Sequence, residues 1–101
     1  MNYLKDYNID DNQIKEIEKI LDMHSIDKEM FIYDPEKIIE ILNIFKSIGV
    51  NNFYDLIITS PSMFCDTVKS IKKRIDSYDD KEKLANLLNE NASNLILVDL
   101  L

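Results

Sequence analysis

The sequence predicts an all-α fold of five to six short helices stacked as irregular helical hairpins, and three observations predict it. Apolar residues recur at three- to four-residue spacing along most of the chain. Periodic runs follow Asp, Asn or Ser, twice with Pro at the next position, which is how helices start. Gly occurs once and Pro twice in 101 residues, too few for the tight turns of an all-β chain. A hydrophobic content of 46% and a charged content of 31% then suit one folded domain over residues 1–101 rather than a disordered chain.

The first periodic segment opens at Asp10 or Asp11, both good N-caps, and places Ile14, Ile17, Ile20 and Leu21 on one side. Lys15, Glu16, Glu18 and Lys19 fall mostly on the other, as a surface helix requires. Asp27 is the next capping residue, ahead of the short run DKEMFIY. Asp34-Pro35-Glu36 is the strongest start signal. Asp caps, Pro takes the first helical position where its missing N–H costs nothing, and Glu suits the positive end of the helix dipole. Ile38, Ile41, Leu42 and Phe45 form the stripe that follows, and Ile39, Ile44 and Ile48 widen it, so this is expected to be the most buried helix. Gly49 ends it by taking positive φ freely.

Shorter pieces come next. Asn51 or Asn52 caps a helix with Phe53, Leu56 and Ile57, and Ser60-Pro61 leads into Met63 and Phe64. Asp66 caps a helix that buries Val68, Ile71 and Ile75. Asp79 or Asp80 starts another with Leu84, Leu87 and Leu88 on one face. The tail NLILVDLL fits either a last short helix or an extended segment.

The pair Met30-Phe31 returns as Met63-Phe64 and, more loosely, as Leu95-Ile96, a spacing of about 33 residues. Each pair follows a short apolar helix end (IEKIL, FYDLII, LANLL), so the unit is helix, turn, short apolar start, second helix. Over residues 45–75 this unit resembles the helical repeat of mitochondrial transcription termination factor-like proteins. The matching features are the turn Ile48-Gly49-Val50, an apolar helix, Pro61, a hydrophobic pair and an amphipathic second helix. The resemblance implies stacked helical repeats and nucleic-acid contact. Three features depart from it: Lys28 and Ser93 stand where the other units would carry Pro61, the chain holds only about two and a half units, and it is acidic.

The 12 Lys and Arg against 19 Asp and Glu give a net charge of −7, unfavourable for a general nucleic-acid coat. The charge is uneven. Residues 1–65 carry −6, residues 66–75 carry +3 and residues 76–101 carry −4. Asp10, Asp11, Glu16, Glu18, Asp22, Glu29, Glu36 and Glu40 therefore define an expected acidic face that attracts a basic partner. Small size and acidity are similar to those of phage- or mobile-element-encoded inhibitors, anti-CRISPR proteins among them, which occupy the basic grooves of nucleic-acid enzymes. The competing reading of the same charge is solubility alone. Lys69, Lys72, Lys73 and Arg74 are the candidate phosphate contacts, the alternative being a solvated helix end favoured by the dipole.

Other function classes are not expected. The single Cys65 excludes an internal disulfide and suits a reducing cytoplasm. The acidic N-terminus lacks the apolar core of a signal peptide, and no run approaches a membrane span. His24 and Cys65 have no metal-ligand spacing or adjacent base, and no phosphate loop, dinucleotide fingerprint or nucleophile elbow appears. No catalysis, cofactor or metal is expected. The apolar run Leu95, Ile96, Leu97, Val98, Leu100, Leu101 is expected either to fold back on the Leu84/Leu87/Leu88 helix or to mediate self-association.

Overall fold

A computed structural model describes residues 1–98, the side chains of 97 and 98 excepted. Within it the chain is all-α. The helices are α1 (Asp11–Leu21), α2 (Ser25–Tyr33), α3 (Pro35–Ser47), α4 (Phe53–Thr59), α5 (Val68–Asp76) and α6 (Lys81–Glu90). Tight 3-10 turns of helix at Asn2–Tyr7, Pro61–Cys65 and Ala92–Val98 complete the order, and no strand occurs among the described residues.

The helix starts follow the physics of exposed N–H groups, though not always through the expected side chain. Asp10, not Asp11, caps α1. Its carboxylate accepts from the Gln13 N–H at 2.8 Å while Gln13 Oε1 accepts from the Asp10 N–H at 3.0 Å, a reciprocal capping box. Asp27 is not a cap, because α2 begins at Ser25 and Asp27 lies in its first turn. Asp34, Asn52 and Ser60 occupy cap positions without a side-chain cap bond. Thr67 replaces Asp66 as the cap of α5, accepting from the Ser70 N–H at 3.1 Å, and Asp66 stands one residue earlier, accepting from the Thr67 N–H at 2.7 Å. Asp80 caps α6 through the Lys83 N–H at 3.0 Å.

The end of α3 is a Schellman turn. Gly49 at φ +105° sends its N–H to the Lys46 carbonyl, and the Val50 N–H reaches Phe45. The side chain of Asn89 on α6 then locks the loop, donating to the Gly49 carbonyl at 3.0 Å and accepting from the Asn51 N–H at 2.9 Å. Asn52 donates across the same junction to the Leu88 carbonyl at 2.7 Å.

α3 is the central helix. Ile38, Ile41, Leu42 and Phe45 are all fully buried. Around them α1 packs on α2 and α4, α2 on α3 and the 61–65 turn, and α3 on α5. The Phe64 ring lies 6.1 Å from Phe31 and 6.3 Å from Phe45, so one aromatic from each of three elements meets in the core. The segment 92–98 folds back on α6 and also packs on α4. Leu95 is buried there and Ile96 is exposed, whereas Leu100 and Leu101 of the expected self-association run lie outside the described residues. The radius of gyration, 12.7 Å, is that of a closed globule of this length, about 13 Å, rather than of an extended array.

Residues 1–9 carry no helical period, yet they complete the core. Leu4, Tyr7 and Ile9 are buried, and Tyr7 meets Phe53 edge to face at 5.3 Å. The Tyr3 hydroxyl donates to the Phe31 carbonyl at 2.6 Å and the Tyr7 hydroxyl to Asn43 Oδ1 at 2.7 Å. Asn8 ends this turn at φ 60°, a left-handed conformation that Asn tolerates better than most residues.

Candidate functional site

The expected acidic face divides once the side chains are placed. Asp10 is spent on the capping box. Asp11 pairs with Lys5 at 2.9 Å, and this hydrogen bond and charge hold its carboxyl below the ordinary carboxylate value. Glu16 pairs with Lys19 at 3.2 Å along the helix. Asp22 pairs with Lys28, whose ammonium is held above its usual value by that hydrogen bond and, to a lesser degree, by the charge of Glu18. Glu29, Glu36 and Glu40, together with Asp34, are exposed, and their carboxylates make no ion pair or hydrogen bond among the described residues.

The cations of the same half are differently placed. Lys5, Lys19 and Lys28 are in the pairs just described, and Lys37 donates to the Cys65 carbonyl at 2.7 Å. The Lys46 ammonium lies 5.8 Å from the Tyr7 ring centroid, within cation–π range. Of the six lysines in residues 1–65, only Lys15 lacks such a contact. The positive charges of Lys37 and Lys46 balance Glu36 and Glu40 over the length of α3, so what marks α2 and α3 is carboxylates without a direct cationic partner rather than an excess of charge.

The four expected phosphate contacts share α5 but not one face. With Ile71 and Ile75 buried, helical spacing sets Lys69 and Lys73 on the outer line at i, i+4 and puts Lys72 and Arg74 on opposite flanks. Arg74 pairs with Asp66 at 3.5 Å. Lys72 lines a shallow groove of about 580 Å³ between α3 and α5, where Glu40, Asp76 and Lys81 also stand. The groove carries both signs of charge over an apolar floor that includes Ile44 and Val68.

His24 is exposed just ahead of α2. Cys65 is half-buried, its thiol donates to the Pro61 carbonyl at 3.8 Å, and it is pushed up to about 12, first by burial and then by the nearby Asp27 carboxylate, with Lys37 opposing. A thiol so protonated is a poor nucleophile. Among the described residues no three His, Cys, Asp or Glu side chains are grouped to hold a metal ion. No helix there is long and apolar enough to cross a membrane.

One surface was invisible to the sequence reading. Met23, Ile26, Ile32 and Tyr33 are exposed large hydrophobics, and Ile96 is the only other one among the described residues. The run SIDKEMFIY has apolar residues on several sides, a pattern that normally marks a buried helix, yet only Phe31 is fully enclosed. The available signal was the failure of α2 to separate polar from apolar sides. Comparison of the chain with family models, curated proteins and solved structures finds no match.

Proposed function

We propose that the chain is a non-enzymatic cytoplasmic interaction module whose N-terminal half engages a basic macromolecule, in the manner of a small acidic inhibitor or regulator of a nucleic-acid-processing protein. One observation carries this reading: nearly every lysine of that half is held by an internal contact, while Glu29, Asp34, Glu36 and Glu40 remain unpaired. Unpaired surface carboxylates contribute little to stability but raise the association rate and selectivity for a cationic surface. The protonated Cys65 thiol and the isolated His24 are in keeping with a role without catalysis. Its single cysteine is in keeping with a reducing compartment.

A second reading has a specific observation in its favour. Lys69 and Lys73 form an outward pair on α5, in the segment that resembles the termination-factor repeat, and would serve a minimal nucleic-acid binder. The flanking Lys72 and Arg74 stand beside acids, which lowers the cation density of any phosphate track.

The test compares two variants of equal net charge. One changes Glu29, Glu36 and Glu40 to Gln and Asp34 to Asn. The other neutralises Asp55, Asp79, Glu82 and Glu90, four exposed acids elsewhere. Titration with a lysine-rich polypeptide at low salt should weaken severalfold for the first variant and little for the second. Equal weakening in both would reduce the effect to bulk charge and remove the reading. Binding of a DNA or RNA duplex at low salt, lost on changing Lys69 and Lys73 to Ala, would favour the second reading instead.

A further inference from the structure

We propose that the outer face of α2 is an apolar anchor site, and that its occupant is a cationic amphipathic helix of a protein partner. The inference rests on the acidic-module reading and adds to it a contact that charge alone does not make.

The geometry comes from the spacing of α2. Phe31 points into the core, and Ile26, Met30 and Tyr33 follow one another at i, i+4, i+7 along a different side. Ile26 is 76% exposed, Tyr33 81%, and Met23 in the preceding turn 78%. Met23 and Ile26 together line a shallow concavity of about 330 Å³ with His24 and Asp27. Single exposed hydrophobics are ordinary, but four of the five among the described residues fall between positions 23 and 33. α2 packs on α1, α3 and the 61–65 turn, and none of these covers Ile26 or Tyr33.

The charge around the stripe selects the occupant. Residues 22–36 hold five carboxylates and one lysine, and that lysine, Lys28, is taken by Asp22. A second copy seated by two-fold symmetry would set this acidic rim against itself. An anionic bilayer surface meets the same repulsion. A partner helix with an apolar ridge and flanking Lys or Arg satisfies both parts: its ridge covers Ile26 and Tyr33, and its cations reach Glu29, Asp34 and Glu36. The nine residues of α2 span about 13 Å, which matches two to three turns of a partner.

The probes are two synthetic helical peptides of equal charge, about three turns long. One carries leucines on a single face between lysines, and the other has those leucines replaced by glutamine. Binding is measured by titration calorimetry with the full chain and with Ile26→Ser/Tyr33→Ser, whose far-UV circular dichroism serves as the folding control. The leucine peptide should bind about tenfold or more tighter than the glutamine peptide. The double variant should abolish that ratio and leave the glutamine peptide unchanged. Equal binding of both peptides, still dependent on Glu29, Asp34 and Glu36, overturns the apolar anchor and leaves the acidic module standing. Binding of neither overturns both. A ratio that survives in the double variant overturns the site, and a dimer in light scattering that Ile26→Ser dissolves overturns the occupant.

Discussion

α2 and the 61–65 turn hold matching places in the fold and make unequal use of their apolar residues. Each follows an outer helix (α1 or α4) and precedes the next (α3 or α5), and the two pack on each other. Each gives one fully buried phenylalanine to the centre, Phe31 and Phe64, with their rings 6.1 Å apart. The turn has five residues, buries Met63 as well, and exposes no large hydrophobic. α2 has nine, and Ile26, Ile32 and Tyr33 stay outside. The core asks for one aromatic from each element. The extra length of α2 adds surface rather than core, and that surplus is the physical ground for assigning it a partner.

The largest expected effects test that division directly. Phe64→Ala removes a ring packed between Phe31 and Phe45, and should cost about 3–5 kcal/mol in urea denaturation, as should Phe31→Ala. Ile26→Ser and Tyr33→Ser should each stay within about 0.5 kcal/mol of the parent. A loss above about 1 kcal/mol in either would make the outer face of α2 part of the structure, and the contrast with the turn would disappear.

An intermediate effect belongs to the junction that joins the two halves. Gly49 sits at φ +105°, and a Cβ there would meet only Ala85 Cβ, at an ordinary 3.7 Å. Gly49→Ala should therefore cost about 1–2 kcal/mol through backbone strain alone, measured by the same denaturation. An unchanged midpoint would show that the Schellman turn relaxes at no cost, and that α3 is not held to α4 by this conformation.

The helices were legible because their signals are local. Asp10 (one of two adjacent candidate caps), Pro35 at a first helical position and Gly49 after the Phe45 stripe act through neighbours in the chain, and each appears where its chemistry puts it. Asp66 was displaced by Thr67 because two adjacent residues both cap well, and nothing local in the sequence separates them. Residues 1–9 were illegible for the opposite reason. Tyr3 and Tyr7 are ordered by Phe31 and Asn43, 28 and 36 residues away, and no local period announces that. The acidic face was legible as composition and not as geometry. Sequence cannot distinguish Glu16, which pairs along its own helix, from Glu36, which does not pair. The exposed face of α2 was lost because apolar residues on several sides of a helix normally mean burial.

The smallest effect lies where the two compared elements touch. Cys65, at the end of the 61–65 turn, stands beside Asp27 of α2. Burial and that carboxylate raise its thiol from an ordinary 9.0 to about 12 in the folded chain. Below pH 9 the thiol is protonated both folded and unfolded, so the contact's stabilisation of the protonated thiol is fully present. Between about pH 9 and 12 the unfolded chain ionises first, and that stabilisation is lost as pH rises. Cys65→Ala should flatten this alkaline limb and leave neutral stability to change only by packing. Alkylation by iodoacetamide at pH 8 should be at least about tenfold slower in the native chain than in guanidinium. The Asp27→Asn variant should bring native and denatured rates closer, because it removes the carboxylate while leaving the burial. Fast native alkylation at pH 8 would mean that α2 and the turn part readily, and that Asp27 faces solvent with the other acids of its helix.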